Sequence, residues 1–325
     1  MEIVLSKGGG TAIVVLLFAG VCYLLRYLYG PKGKLRDPRW DILNEQARLE
    51  ERIGKFASEL QDALPEIEIS PFMRYTRPFF VEDTETDPPL RLKQEHTLRV
   101  LANARAIADK EPAFAEAHMR RALLLAALYH DVGRFEQFWK HRTFSDAASS
   151  CNHGALGARV LRKVGLLAGE SRECRQIVLC AVAVHNRFRL PIAFSGTART
   201  VAEGLRDADK IDILRVLRGN LEEGAVPNPV VVMFLKDEPG MYSPALLDAL
   251  EQGRLASFLD MKYINDFRLL LCTWLHDFTF AASLAAVKKS GNIEAIITGL
   301  GGIPEIRDRV SLAVQQFFAA KNIAE

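Results

Sequence analysis

Six side chains spread between residues 96 and 209 combine imidazole and carboxylate in a way that suits a divalent cation: His96, the adjacent pair His130-Asp131, His153, His185 and Asp209. Imidazole with carboxylate suits Mn, Fe, Zn or Mg, and no cysteine belongs to the set. His130-Asp131 ends an apolar run, Ala122–Tyr129 (ALLLAALY). Burying Asp131 there costs several kcal/mol unless a partner or a metal compensates it. Such a set can activate a water and polarise a phosphoryl oxygen. Arg134, Lys140, Arg142, Arg187 and Lys210 lie beside these positions and can neutralise charge developing on phosphate oxygens.

For these side chains to meet, helices must carry them. The expected helices cover 92–109, 115–131, 154–164, 171–186 and 197–218. His96 then falls near a helix start, His130, Asp131 and His185 at helix ends, and His153 just before a helix start. A helical bundle converges side chains in this way. Strand signals are scarce, the short run 229–235 (PVVVMFL) being the one β-branched stretch. The fold class is therefore all-α.

The order His, His-Asp, His, His, Asp resembles the HD superfamily of metal-dependent phosphohydrolases, in particular its subset with two extra histidines. The resemblance rests on HisAspValGlyArgPheGluGln (130–137), ThrPheSerAsp (143–146), HisGlyAlaLeuGly (153–157), HisAsnArg (185–187) and ArgAspAlaAspLysIleAsp (206–212). It covers about residues 90–220. It implies an HD-type helical bundle holding two divalent ions. His96, His130, Asp131 and Asp209 would hold the first, and Asp131 would bridge to a second held by His153 and His185. Asp131 is thereby the catalytic residue, and Asp207 is a rival for the place of Asp209. The cyclic-dinucleotide phosphodiesterases of the HD-GYP type share this core, but AsnArgPheArgLeuPro follows His185 here in place of their Gly-Tyr-Pro element. The resemblance implies a metal-activated water cleaving a small phosphate ester, such as a nucleotide. Helical proteins with the same six residues can also hold a di-iron centre for oxygenase chemistry, and a non-catalytic membrane-tethered signalling module is a further alternative.

Other histidines read differently. His118 is a surface residue, and His141, beside Lys140 and Arg142, is a substrate contact at most. The second adjacent pair, His276-Asp277, falls inside a helix expected over 267–287 and reads as its polar face.

The chain has 325 residues, 49% hydrophobic and 25% charged, as expected of a folded globular protein. Residues 1–39 hold six of the 42 basic residues and two of the 40 acidic ones, a balance of +4, so the remainder of a chain with net charge +2 is slightly acidic, at −2. That balance argues against a nucleic-acid polymer as partner. Between Lys7 and Arg26 lie 18 uncharged residues, about 27 Å as a helix, close to the thickness of a bilayer core. With its basic flank following, this stretch reads as a single-pass anchor to the cytoplasmic membrane, with the catalytic domain in the cytoplasm. The expected organisation is an anchor over 1–30, a linker helix and Pro-rich loop over 31–90, the metal-binding core over 91–220, and a helical extension over 221–325 that completes the bundle. Five scattered cysteines (Cys22, Cys151, Cys174, Cys180, Cys272) read as free thiols.

Overall fold

The computed structural model describes residues 39–83, 85–227, 232–233 and 235–323. The expected anchor and Cys22 lie outside them. Among the described residues no helix is long and apolar enough to cross a membrane. These residues form helices and turns, with one isolated β-bridge between Lys236 and Tyr263. The four described cysteines are free thiols.

Helix α1 (Arg39–Ala63) buries Ile53, Ala57, Leu60 and the following Leu64 at helical spacing, so it packs on the core along one stripe. The Pro-rich stretch 65–90, expected as a loop, holds helix α2 (Ser70–Thr76) and the first turn of α3 (Asp87–Ala108). Pro71, Pro88 and Pro89 sit in first turns, where a missing N–H costs no hydrogen bond. Asp87 accepts the N–H groups of Val81 and Glu82 at 2.9 and 3.1 Å and fixes the chain entering α3. Because α3 begins at Asp87, His96 lies more than two turns inside it and not near its start.

Helix α4 (Ala117–Tyr129) is the centre of the bundle: every residue from Ala122 to Tyr129 is buried. At Asp131 the backbone leaves helical geometry, and α5 (Val132–His141), which the periodicity did not predict, begins at once. The His-Asp pair therefore occupies a junction between two helices deep in the core. After the single turn α6 (Asp146–Ser149), α7 (His153–Val164) is capped by the Asn152 side chain, which accepts from Ala155 N–H at 2.8 Å. Ser171 caps α8 (Arg172–Val184) in the same way, at 3.1 Å from Cys174 N–H. Helices α5 and α7 approach closely enough that a Cβ on Gly133 would lie 2.6 Å from both Gly157 N and His153 O.

The long helix α9 (Gly196–Leu221) joins two apolar cores. Val201, Ala202, Leu205 and Ala208 face the first, and Leu214, Leu217 and Leu221 face the second. The second core belongs to α10 (Pro244–Glu251), α11 (Ile264–Thr273), α12 (Ala281–Ser290), α13 (Asn292–Thr298) and α14 (Pro304–Ala320). The helix expected over 267–287 is broken. A 3-10 turn at Trp274–Asp277 and an extended segment separate α11 from α12. The break is held by α9: Asp207 accepts the N–H groups of Thr279 and Phe280, at 3.1 and 3.0 Å, and Arg206 and Lys210 both donate to Asp277. A continuous helix would leave a buried carboxylate without those donors.

The contact at Gly133 gives an opposed pair of stability predictions. Gly133→Ala pushes a methyl into immovable backbone and is expected to cost about 1–3 kcal/mol. Gly54→Ala, in an exposed turn of α1 with nothing near its Cβ, is expected to stabilise by up to about 1 kcal/mol. Thermal melts of the two variants should shift in opposite directions.

Candidate metal centre

Five elements deliver the six predicted side chains to one place. His96 comes from α3, His130 and Asp131 from the α4–α5 junction, His153 from the first residue of α7, His185 from the residue after α8, and Asp209 from the middle of α9. The four histidines are buried, as is Asp131.

The carboxylate of Asp131 faces two ways. Its Oδ2 lies 3.8 Å from His96 Nε2 and 3.6 Å from His130 Nε2. Its Oδ1 lies 3.5 Å from His153 Nε2 and 3.9 Å from His185 Nε2. On the first side Asp209 Oδ1 lies 3.1 Å from His96 Nε2 and 3.8 Å from His130 Nε2, and the two histidine Nε2 atoms are 3.4 Å apart. On the second, His153 and His185 bring their Nε2 atoms to 3.2 Å. Two groups have ligand atoms mutually within 4.8 Å, as a metal ion requires: His96 with His130 and Asp209, and His130 with Asp131 and His185; they share His130, and His153 belongs to neither. Ligands about 2.1 Å from a shared ion stand roughly 3–3.5 Å from one another, so most of these spacings are near that of a coordination shell.

Hydrogen bonding on the far side of each ring fixes which nitrogen faces inward. His130 Nδ1 donates to Ala127 O at 2.8 Å, and His185 Nδ1 to Val182 O at 2.7 Å. His96 Nδ1 is 2.7 Å from Asp212 Oδ2, and His153 Nδ1 is 2.8 Å from Asp146 Oδ2. With each Nδ1–H committed outward, each neutral ring presents its Nε2 lone pair to the centre. The centre then gathers acceptors, four imidazole nitrogens and two carboxylates, with Lys93 donating to Asp131 at its edge. Asp209 Oδ1 is buried there without a hydrogen-bond partner. Such an assembly is repulsive by itself and is satisfied by a cation, so the residues present fit a divalent metal.

The electrostatics agree in direction. Burial, reinforced by His153 and His130, drives His185 down to about 3, so its ring is neutral. Burial also lowers His130. Burial pushes the Asp131 and Asp209 carboxyls up, but both stay ionised: Lys93, His130 and Arg134 hold Asp131 well below its ordinary value, and His96 and His130 lower Asp209. His96 is the exception. Burial and Lys93 depress it, yet the facing carboxylates of Asp209 and Asp212 raise it to about 8, so a proton can stand in for the cation on that ring.

Several residues around this centre escaped the sequence reading. Asp212 orients His96 and is itself held by Arg215 at 2.6 Å. Asp146 orients His153 and accepts from Arg134, Gln137 and Asn186 at 2.9–3.0 Å. Both stand in the quoted segments 206–212 and 143–146, which was the available signal. Lys93, one turn before His96, places Nζ 2.9 Å from Asp131 Oδ2 over the Phe144 ring. Asp207, the rival of Asp209, faces away and is spent on Thr279 and Phe280, its carboxyl raised to about 6 by burial.

The five expected substrate cations are dispersed. Arg134 reaches Asp131 at 3.5 Å but donates to Gln137, Asp146 and the Phe144 carbonyl. Arg142 donates to Thr86 at 2.7 Å, Lys140 and Arg187 are exposed, and Lys210 is buried against Asp277. His118 and His141 are exposed, and His276 packs edge-on against Phe317.

The raised His96 sets a pH dependence. Below about pH 8 the metal-free ring carries a proton that an incoming cation must displace, so apparent affinity should fall as pH falls, by up to about tenfold per unit. Calorimetry of Mn(II) binding at pH 7, in buffers of different ionisation enthalpy, should report close to one proton released. Asp212→Asn should lower His96 toward its ordinary value and reduce that release, with about 10- to 100-fold weaker metal binding.

Residues 94–218 match the family model for the HD domain. No curated protein and no solved structure matches the chain significantly. The matched stretch begins two residues before His96 and ends beyond Asp212, so it encloses the whole acceptor cluster. Over residues 94–218 the chain is thus similar to the HD domain, and the His/Asp cluster in that stretch is compatible with a metal-binding HD site.

Proposed function

We propose that the chain is a phosphohydrolase that uses two divalent cations to cleave a small phosphate ester. The HD superfamily includes metal-dependent phosphohydrolases. The observation that carries the reading is the two-way carboxylate of Asp131, with one oxygen toward His96 and His130 and the other toward His153 and His185. In this reading His96, His130, Asp131 and Asp209 hold the first ion, and Asp131, His153 and His185 hold the second. Cations bound in this way lower the pKa of a water and withdraw electron density from a phosphoryl oxygen.

The protein's own contribution is position and charge. Asp212 and Asp146 fix two imidazoles and increase their basicity toward a metal. Among the described residues Lys93 pairs with Asp131 and lies over the Phe144 ring, and its side chain is 25% exposed, unlike the heavily committed Arg134. The Lys93 ammonium would supply positive charge beside the centre for a phosphoryl oxygen. Residues 1–30 would hold this body at the cytoplasmic face of a membrane, a proposal supported by the uncharged run and its basic flank. Recovery of the full chain in the soluble fraction without detergent would remove the anchor from the account.

The full chain, solubilised in detergent and loaded with Mn(II) or Mg(II), should release phosphate from members of a nucleotide and phosphoester panel. No release with any metal, or stoichiometric iron with dioxygen uptake instead, would overturn the phosphohydrolase reading. Lys93→Met should lower kcat by about 100-fold with little change in metal content, and Lys93→Arg should recover part of the loss.

A further inference from the structure

Two loops beside the centre keep large apolar side chains in water. One, residues 186–195, leads from α8 to α9, and the other, residues 252–263, joins α10 to α11. Ile192 is 99% exposed and Leu259 78%, and Phe188 and Phe258 are about half exposed. Phe188 and Phe258 line one cavity of about 280 Å³ whose wall includes the metal-centre residue His185, so the two loops are neighbours. Single apolar residues in water need no explanation, whereas four gathered on adjoining loops mark a contact surface. Cations are interleaved with them. Arg187 and Arg189 stand on the first loop and Arg254 and Lys262 on the second, all four exposed, against the single acid Asp260. Arg189 lies over the Phe188 ring, and Arg254 donates to the neutral amide of Gln252. Among the described residues none of the four is paired with a carboxylate, in contrast to Arg206 and Lys210, which are spent on Asp277.

We propose that these two loops rest on a bilayer surface bearing anionic headgroups. The proposal is independent of the phosphohydrolase reading and rests on the anchor, which brings a bilayer within reach. Ile192, Leu259, Phe188 and Phe258 enter the boundary between headgroups and acyl chains, and the four cations meet lipid phosphates beside them. Each Lys or Arg near an anionic leaflet adds attraction that does not depend on a particular lipid. A protein partner fits less well: the buried centre of a protein interface is depleted of charge, and here charge and apolar surface alternate along both loops. The anchor by itself does not orient the body, because the 12 residues 27–38 can extend up to about 40 Å. The loops supply a second point of contact. They turn the His185 side of the metal centre toward the membrane and hold the centre at a fixed height above the lipid.

The contact can be read on the full chain reconstituted into vesicles of phosphatidylcholine and phosphatidylglycerol with brominated acyl chains. Ile192→Trp and Leu259→Trp each add a tryptophan at an exposed position, and the parent chain supplies the signal of the three native tryptophans for subtraction. Val164→Trp, at the end of α7 away from His153, is the control. Both loop probes are expected to lose about half or more of their emission relative to unbrominated vesicles, with the control nearly unchanged. In phosphatidylcholine alone that loss should shrink by about twofold or more. Flotation of the vesicles reports the anchor separately. Chain that floats with the vesicles while both loop probes stay unquenched overturns the proposal and leaves the anchor standing, and chain that does not float overturns both. A control quenched as strongly as the loops, or equal quenching without phosphatidylglycerol, also overturns the proposal. Loop probes unquenched by lipid yet shielded from aqueous iodide would instead assign the loops to a contact between copies of the chain.

Discussion

Lone pairs packed together in a buried space repel unless a positive charge joins them. Around Asp131 the protein concentrates four imidazole nitrogens and two carboxylates, most of them within 4 Å of a neighbour, with the opposite nitrogen of every ring tied outward. The surrounding helices are placed so that this repulsion is held in position. An all-α bundle does this well, because each helix end or helix face offers a side chain at a fixed height. Without a cation, Lys93 and the proton on His96 are the available substitutes, and both are weaker fits than a divalent ion.

Holding the arrangement requires support outside the six residues. The glycines between α5 and α7 let the backbone of the His-Asp junction approach His153 more closely than any larger residue permits. Asp212 and Asp146 set ring orientation, and Arg215, Arg134, Gln137 and Asn186 hold those carboxylates in turn. Helix α9 carries Asp209 toward the centre and Asp207 away from it, on neighbouring positions two residues apart. Through Asp207, Arg206 and Lys210 it also grips the C-terminal helices at the point where α11 ends. The second core is therefore fastened to the same helix that supplies a metal-ligand candidate.

Much of this was legible in the sequence, for identifiable reasons. Strong apolar periodicity located α4, α8 and α9, and residue types with a recurring order singled out the six side chains, which the structure brings together. The short helix α2 was hidden because prolines read as breakers unless their first-turn positions are known. Helix α5 was hidden because it starts directly at the Asp131 kink. The break after Trp274 came from tertiary hydrogen bonds to α9, which no local pattern records. Lys93, Asp146 and Asp212 were passed over for a similar reason: each acts through a partner distant in sequence, and a lysine or aspartate on a helix face has no periodic signature. The expected anchor lies outside the described residues and rests on its uncharged run and the basic flank that follows it.

The central claim is that Asp131 joins two cations. Anomalous diffraction from crystals grown with Mn(II) addresses it directly. The account predicts two peaks flanking the Asp131 carboxylate, one in reach of His96, His130 and Asp209 and the other in reach of His153 and His185. A map with no peak at Asp131, or with manganese only at other carboxylates, would contradict it.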